Sequence, residues 1–574
     1  MNLAKPKIIL TIIVMLAAIL RFWQLGTNPL SLTWDEASWG YNAYSLGIDG
    51  RDEFGRFLPF DYLESFGDFK PPMYAYLDIV PIWIFGLNEF AVRFPSALFG
   101  TLTVLVTYFL VKRLFFSTRI NTSALALLSA FILAISPWHI NLSRAAFEAN
   151  IATFFLICGV WLFLCGVYER KWCLVLSIAS FVLSLYTFNS ARVVAPILVL
   201  ILGIGFRKEL LEQKKHAMIA LVVGILLILP SLKFFLSSEA NLRFREVNIF
   251  SDPKVIEIAN QEIANDGNEW WSKIIHNRRF AYTVAYLRHY FDNFNPSFLF
   301  IKGDGNPKFS TQDVGQMYLW DLPFLVAGAF VLLRKREGCW WIISLWLIIG
   351  IIPAATARET HHALRIEAAL PTFQILTAYG VFIFVNTISN INRRLNLGQI
   401  AKIPALPAGR QIKYLVLSLC FLFLIFNFLY YYHGYYAHYP REFSGEWQYG
   451  YKDSIEFVET IKDDFDQINV TTLLGRPYIY YLFYTKTHPE DFRRTAIVRE
   501  DPYGFTHVDG FGAYKFGDDL SKLDNGNKRI LYVNVSGRSP RKANIFKTVK
   551  LLNNDPVFTI YEIVHMPEEE KKNE

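Results

Sequence analysis

Trp34-Asp35-Glu36-Ala37-Ser38-Trp39-Gly40 follows directly on the apolar run 8–25. Two adjacent carboxylates, flanked by two indoles, stand at the edge of a segment long enough to cross a bilayer. Ionisable groups at that depth are costly, so they pair, face a wet cavity or carry chemistry. Lys5 and Lys7 precede the run and no small-residue cleavage pattern follows it. The run therefore reads as an uncleaved first membrane helix with a cytoplasmic N-terminus. Asp35 and Glu36 then lie on the outer side. They open an acid-rich, aromatic stretch, 28–70, that closes with Lys70-Pro71-Pro72.

Composition agrees with a membrane setting. The chain has 574 residues, of which 53% are hydrophobic and 19% charged, and its mean hydropathy is +0.25. A soluble chain of this length would form several domains with more surface charge. The net charge of +7 raises the question of nucleic acid. Lys and Arg instead cluster in short gaps between apolar runs, the positive-inside distribution of a polytopic protein. Cys158, Cys165, Cys173, Cys339 and Cys420 lie in or beside apolar runs, which argues against a disulfide framework or a cysteine metal site.

Taken in order, the runs 8–25, 92–111, 123–137, 150–167, 172–187, 193–206, 217–236, 322–333, 339–356, 368–388 and 414–431 alternate across the bilayer with the basic clusters inside. That predicts about eleven spans. Residues 73–86 are short for a span and contain Asp78 and Pro81. They are read as an interfacial helix on the outer surface. The expected architecture is a polytopic α-helical membrane module, 1–431, with external stretches 28–91 and 237–320. A small extracytoplasmic mixed α/β domain, 432–574, follows it. In that domain 453–462 reads as an amphipathic helix, and 467–474, 477–484, 529–535 and 556–564 read as strands. Residues 403–410 read as an inner linker and Pro567–Glu574 as a charged, disordered tail.

The order of motifs resembles the GT-C glycosyltransferases of the protein O-mannosyltransferase and lipid A aminoarabinose transferase type. The matching pieces are Asp35-Glu36 after the first span, Lys70-Pro71-Pro72, and the stretch from Phe85-Gly86-Leu87-Asn88 through Arg93-Phe94-Pro95 to Leu98. Ser136-Pro137-Trp138-His139 with Arg144 completes the set. The resemblance covers roughly 8–390. It implies an inverting transfer of a sugar from a polyprenyl-phosphate donor to an acceptor hydroxyl, at the outer face of the cytoplasmic membrane. The acceptor would be an envelope glycolipid, a glycan or a protein. Nothing here resembles the large sugar-binding insert of the eukaryotic protein mannosyltransferases, which argues against a protein acceptor.

A polyprenyl phosphate is already a good leaving group. The acceptor hydroxyl is the poor partner, and it needs a carboxylate within hydrogen-bond reach. The resemblance gives that role to Asp35; the alternative is a helix cap. Glu36 is a second candidate, or a structural partner of a basic side chain. Glu148 stands four residues after Arg144, so one helix would place them on one face, as an ion pair or as a second catalytic acid.

The departing phosphate needs fixed positive charge. Lys70, Arg365 and His362 are the candidate phosphate ligands, Arg365 by entering a helix at its outer end. Arg192 either lines the same groove or snorkels. No cofactor is expected. A divalent metal is not indicated, because adjacent His361 and His362 do not easily share one ion. A lipid-linked-glycan flippase or a structural subunit is the competing class. The absence of an internal repeat and the charges gathered at one face speak against the flippase, and a structural subunit would not need Asp35, Lys70 and Arg365 on the same side.

Overall fold

The structure is a computed structural model that describes residues 4–235, 237, 248–396, 408–501, 506–523 and 528–563. The helices used below, in chain order, are α1 (Ala4–Phe22), α2 (Trp34–Asp49), α3 (Met73–Phe85), α4 (Glu89–Leu114), α5 (Thr122–Ile135), α6 (Pro137–Arg144), α7 (Glu148–Tyr168), α8 (Cys173–Leu185) and α9 (Ala191–Gly205). Later helices are given by range. The chain divides into two compact units. One comprises Met1–Trp23 and Ser96–Gly434, the other Gln24–Pro95 and Tyr435–Glu574. The stretch after the first apolar helix is thus grouped with the C-terminal domain, where the sequence suggested a boundary at 431/432.

The first unit is helical. Each of the eleven apolar runs falls on a helix: α1, α4, α5, α7, α8, α9, Lys214–Phe235, Asp321–Lys335, Trp340–Ala355, Thr372–Asn396 and Ala408–His433. Among the described residues, five helices are long and apolar enough to cross a membrane, or up to six if the bent pair α5–α6 is one span. The expected eleven crossings are not reached on that criterion. Helices such as α8, with 13 residues, fall short of the roughly 20 that a hydrocarbon core requires. α5 does not run on through 137. The chain turns by 56° at the break between α5 and α6, and Pro137 starts the new helix at a position where its missing N–H costs nothing.

Arg144 and Glu148 do not share a helix. Arg144 ends α6, Ala145 is extended (φ −102°, ψ 163°), and Glu148 begins α7. The Arg144 guanidinium donates to the carbonyls of Leu20 (2.8 Å), Arg21 (3.1 Å) and Trp23 (2.7 Å). It satisfies acceptors that the end of α1 leaves open.

Asp321–Lys335 and Thr372–Asn396 cross backbone to backbone. A Cβ at Gly328 would stand 2.0 Å from the Leu376 carbonyl oxygen, and one at Gly380 2.0 Å from that of Phe324. Small residues allow such approach between membrane helices. Gly380→Ala must push the helices apart and should cost about 1–3 kcal/mol, as overpacking does. A lowered thermal midpoint of the purified protein checks this. An unchanged midpoint would show that the helices do not meet there.

The second unit holds α2, α3 and a hairpin of β1 (Leu63–Ser65) and β2 (Asp68–Lys70). It also holds a seven-stranded sheet of β3 (Gln467–Thr471), β4 (Ile497–Glu500), β5 (Thr506–Phe511), β6 (Tyr514–Gly517), β7 (Ile530–Val535), β8 (Ala543–Lys550) and β9 (Pro556–Ile563), in the order β4-β5-β6-β3-β7-β9-β8. β3 is central, buried along its whole length, and parallel to both β6 and β7. The expected strands near 467, 529 and 556 are β3, β7 and β9, and the expected helix is Tyr451–Ile461.

The expected strand 477–484 is a helix, Pro477–Thr485. Its aromatic, apolar run carries no period that separates a strand from a buried helix. Pro477 at the first helical position decides for the helix. β4, β5, β6 and β8 were not foreseen. β4 and β8 are the sheet edges, and their mixed charged residues blur the alternation of a strand.

α3 matches the short helix expected over 73–86, with Trp83 (86%) and Ile84 (63%) exposed and Asp78 fully buried. Stretch 237–320 is not a plain loop, since it contains the helices Pro253–Asn265 and Arg278–Asp292. Linker positions 403–407 and the tail 567–574 lie outside the described residues, while 408–410 begin the helix Ala408–His433.

Candidate functional site

In the second unit, α2 starts as a capping box. Thr33 Oγ1 accepts the Glu36 N–H at 3.2 Å, and Glu36 Oε2 accepts the Thr33 N–H at 2.9 Å. Two donors that a helix start leaves unpaired are thereby satisfied reciprocally. The cap is Thr33, not Asp35. Glu36 is fully buried, and its Oε1 accepts from Arg93 Nε at 2.9 Å. Arg93, also fully buried, donates further to the carbonyls of Leu25 (3.2 Å), Pro29 (2.6 Å) and Ser31 (2.6 Å). The pair locks the 25–36 segment and gives Glu36 a positioning role.

Asp35, one residue earlier, stays half in solvent, its side chain 49% exposed. It forms an ion pair with Lys70, whose side chain is only 9% exposed. β2 delivers Lys70, and Pro71-Pro72 ends the strand before α3. The ammonium lies 5.2 Å from the Trp39 ring centroid and 5.0 Å from that of Phe66. Lys70 is therefore a held charge and not a snorkelling surface lysine. A solvent-reachable carboxylate beside a fixed ammonium can take a proton from a hydroxyl while the ammonium faces an anion.

Behind them lies Glu53, which the sequence reading did not single out. Glu53 is fully buried. It accepts from Ser65 Oγ at 2.7 Å and from the Tyr478 hydroxyl at 3.4 Å, and its own N–H donates to Asn42 Oδ1 at 3.0 Å. Burial pushes its carboxyl up to about 8, against the Ser65 hydrogen bond. Glu53 then stays protonated in the folded protein over a range where the unfolded chain, with the usual value of 4.5, ionises. Stability is full below that usual value and is lost as pH rises through the folded value. Glu53→Gln should flatten the fall in thermal midpoint between pH 4.5 and 8, and raise the midpoint at the alkaline end. Identical pH profiles for the two proteins would refute this.

In the first unit the candidates surround Asp304. This buried carboxylate accepts the Ala363 N–H at 2.6 Å and the Asn306 N–H at 2.8 Å. Burial raises its pKa against those bonds. His362 Nδ1 is 4.0 Å away, and its ring packs on Phe309 with centroids 4.8 Å apart. Burial first, then the charge of Arg365, lowers the His362 pKa to about 3. His362 is neutral at physiological pH, so it offers an anion a hydrogen bond and no charge.

Arg365 does not enter a helix. It sits in a turn, followed by the 3₁₀ segment Glu367–Ala369, and α-helix resumes only at Thr372 beyond Pro371. Pro371 and the 3₁₀ turn delay the helix that the apolar run suggested. Arg365 donates to the Glu359 carbonyl at 3.3 Å. Glu148, at the start of α7, raises the pKa of Glu367, which burial already lifts well above the carboxylate range.

Arg192 joins neither group. Its guanidinium lies 5.6 and 5.0 Å from the Phe234 and Phe235 ring centroids, and its Nε donates to the Leu185 carbonyl at 3.4 Å. Among the described residues, no three His, Cys, Asp or Glu side chains gather as they would around a metal ion. Arg93 could have been found from sequence as a basic partner for Glu36 inside the quoted motif. Asp304 and Glu367 carry no local signal.

Residues 11–229 match the family described as dolichyl-phosphate-mannose-protein mannosyltransferase. YkcB of Bacillus subtilis (strain 168), whose name provisionally assigns it to the mannosyltransferases, is 28% identical over 143 residues, 25% of this chain. An uncharacterized protein of Aquifex aeolicus (strain VF5) is 32% identical over 204 residues, 35% of this chain. The matched stretches span only 16% and 38% of those two relatives.

In fold, the chain is similar to ArnT from Cupriavidus metallidurans bound to undecaprenyl phosphate, with TM-score 0.54 and 13% identity over 96% of this chain and 98% of that one. The oligosaccharyltransferase of Archaeoglobus fulgidus gives 0.51 and 14%, over 84% of this chain and 64% of that one. Over residues 11–229 the chain is thus similar to that mannosyltransferase family, and over nearly its whole length it shares the fold of ArnT.

Proposed function

We propose that the protein is an inverting glycosyltransferase that moves a sugar from a polyprenyl-phosphate donor to an acceptor hydroxyl, with Asp35 as general base. The observation that carries this is the half-exposed Asp35 carboxylate paired with the buried Lys70 ammonium. As the C1–O bond to the acceptor forms, Asp35 takes the hydroxyl proton. The bond from C1 to the phosphate oxygen breaks with its electron pair, and the phosphate leaves beside Lys70. Attack from the face opposite the leaving group inverts C1, as in inverting glycosidases that use one carboxylate as base.

Glu36 and Arg93 position α2 and touch no reacting atom. In the other unit, Arg365 is the cation proposed for an anionic substrate, and His362 a neutral hydrogen-bonding neighbour. Arg192 is left as a structural contact. The neighbour crystallised with undecaprenyl phosphate supports the lipid-phosphate class. The basic clusters between apolar runs support an inside N-terminus and an outer-face site in the cell membrane. Mass spectrometry of lipids co-purifying with the Asp35→Asn protein tests the donor class. A polyprenyl-phosphate sugar should accumulate on the stalled enzyme. A flippase, which needs no base, would not enrich it over wild type.

A further inference from the structure

The β1–β2 hairpin turns on two residues, Phe66 (φ 62°) and Gly67 (φ 72°). A two-residue turn with both φ positive favours Asn, Asp or Gly at its first position. A phenylalanine there is a strained choice, retained where its ring has work to do. Two cations share that ring. Lys70 Nζ is 5.0 Å from the Phe66 centroid and the Arg476 guanidinium carbon is 4.9 Å from it.

Arg476 is brought there by the C-terminal part of the same unit. Gly475 (φ 117°) lies so close to Trp34 that a Cβ would stand 2.9 Å from the indole. The loop before Pro477–Thr485 is therefore seated against the residue that precedes Asp35. Among the described residues, the partly buried Arg476 guanidinium has no hydrogen-bond or ion-pair partner, only the Phe66 ring. Its five N–H donors are available to a ligand. Like charges held around one ring repel, and Asp35 supplies a single negative charge. One positive charge is left over, and the phosphodiester of a polyprenyl-phosphate sugar, with a single negative charge and free acceptor oxygens, balances it. A guanidinium fork suits it better than a second ammonium would.

We propose that Arg476 is a second anion-binding cation at the Asp35–Lys70 site, holding the phosphate of a polyprenyl-phosphate ligand. The proposal rests on the function proposed for Asp35 and Lys70 and names a further contact to the same substrate. The test is binding of undecaprenyl phosphate, and separately of inorganic phosphate, to the full chain in lipid nanodiscs. Arg476→Gln should weaken undecaprenyl phosphate about tenfold or more, since it removes a charge-assisted contact. Arg476→Lys, which keeps the charge, should lose less, and thermal midpoints should stay near wild type. Phe66→Leu removes the platform but no charge and should give an intermediate loss.

Wild-type affinity of Arg476→Gln, together with weakened binding by Lys70→Ala, would remove Arg476 from the site and leave the proposed function standing. A wild-type protein that binds no undecaprenyl phosphate would overturn the function itself. Inorganic phosphate binding as tightly as the lipid would overturn the lipid assignment.

Discussion

Asp35→Asn is expected to lower turnover by about 10²–10⁴-fold while donor affinity changes little, the range for loss of a general base. The substitution is nearly isosteric. It leaves the cap of α2 untouched, because Thr33 and Glu36 make that cap. Lys70 is held by strand β2 and by the Trp39 and Phe66 rings as well as by Asp35. An amide can still face the ammonium through its oxygen, so the phosphate contact proposed for Lys70 should survive. A fall in kcat with donor binding intact is the signature of a group needed only as the bond forms. Asp35→Glu, which moves the carboxylate by one methylene, should fall between the two. Turnover of Asp35→Asn within a few fold of wild type would place the base elsewhere, and Glu53, buried and protonated, is not equipped to replace it.

The largest stability effect is expected at Arg93. Arg93→Met should destabilise the protein by about 3–5 kcal/mol, the cost of leaving one member of a buried pair alone. Glu36 would keep a desolvated charge, and the Leu25, Pro29 and Ser31 carbonyls would each lose a donor. Combining Arg93→Met with Glu36→Gln removes the stranded charge and should recover part of the loss. The two substitutions are then strongly non-additive. Denaturant or thermal unfolding of the four proteins forms the cycle. Additive single-mutant effects would show that Arg93 and Glu36 are not coupled. Because α2 carries Asp35, Arg93→Met should also reduce turnover in molecules that remain folded.

Several features were legible because their cause is local. Apolar runs bounded by basic gaps mark helices whatever lies around them, and all eleven runs are helical. The Asp35-Glu36 pair and Lys70-Pro71-Pro72 were visible as charges placed where charge is costly. Other features depend on partners far along the chain. The 477–485 run reads equally as strand or helix until its packing is known. Glu36 acquires its structural role from Arg93, 57 positions later, and Asp304 from the 361–363 backbone.

The sequence by itself determined a multi-helix membrane protein with an α/β appendage, and an acidic pair followed by a Lys-Pro-Pro motif after its first apolar run, because hydropathy and charge act over neighbouring residues. Only the tertiary structure decided which of two adjacent acids is buried and which stays reachable. It alone showed that Arg144 caps a helix, and that a strained Phe66 gathers Lys70 and Arg476. Those outcomes turn on desolvation and on contacts between segments hundreds of residues apart, and no window of sequence records them.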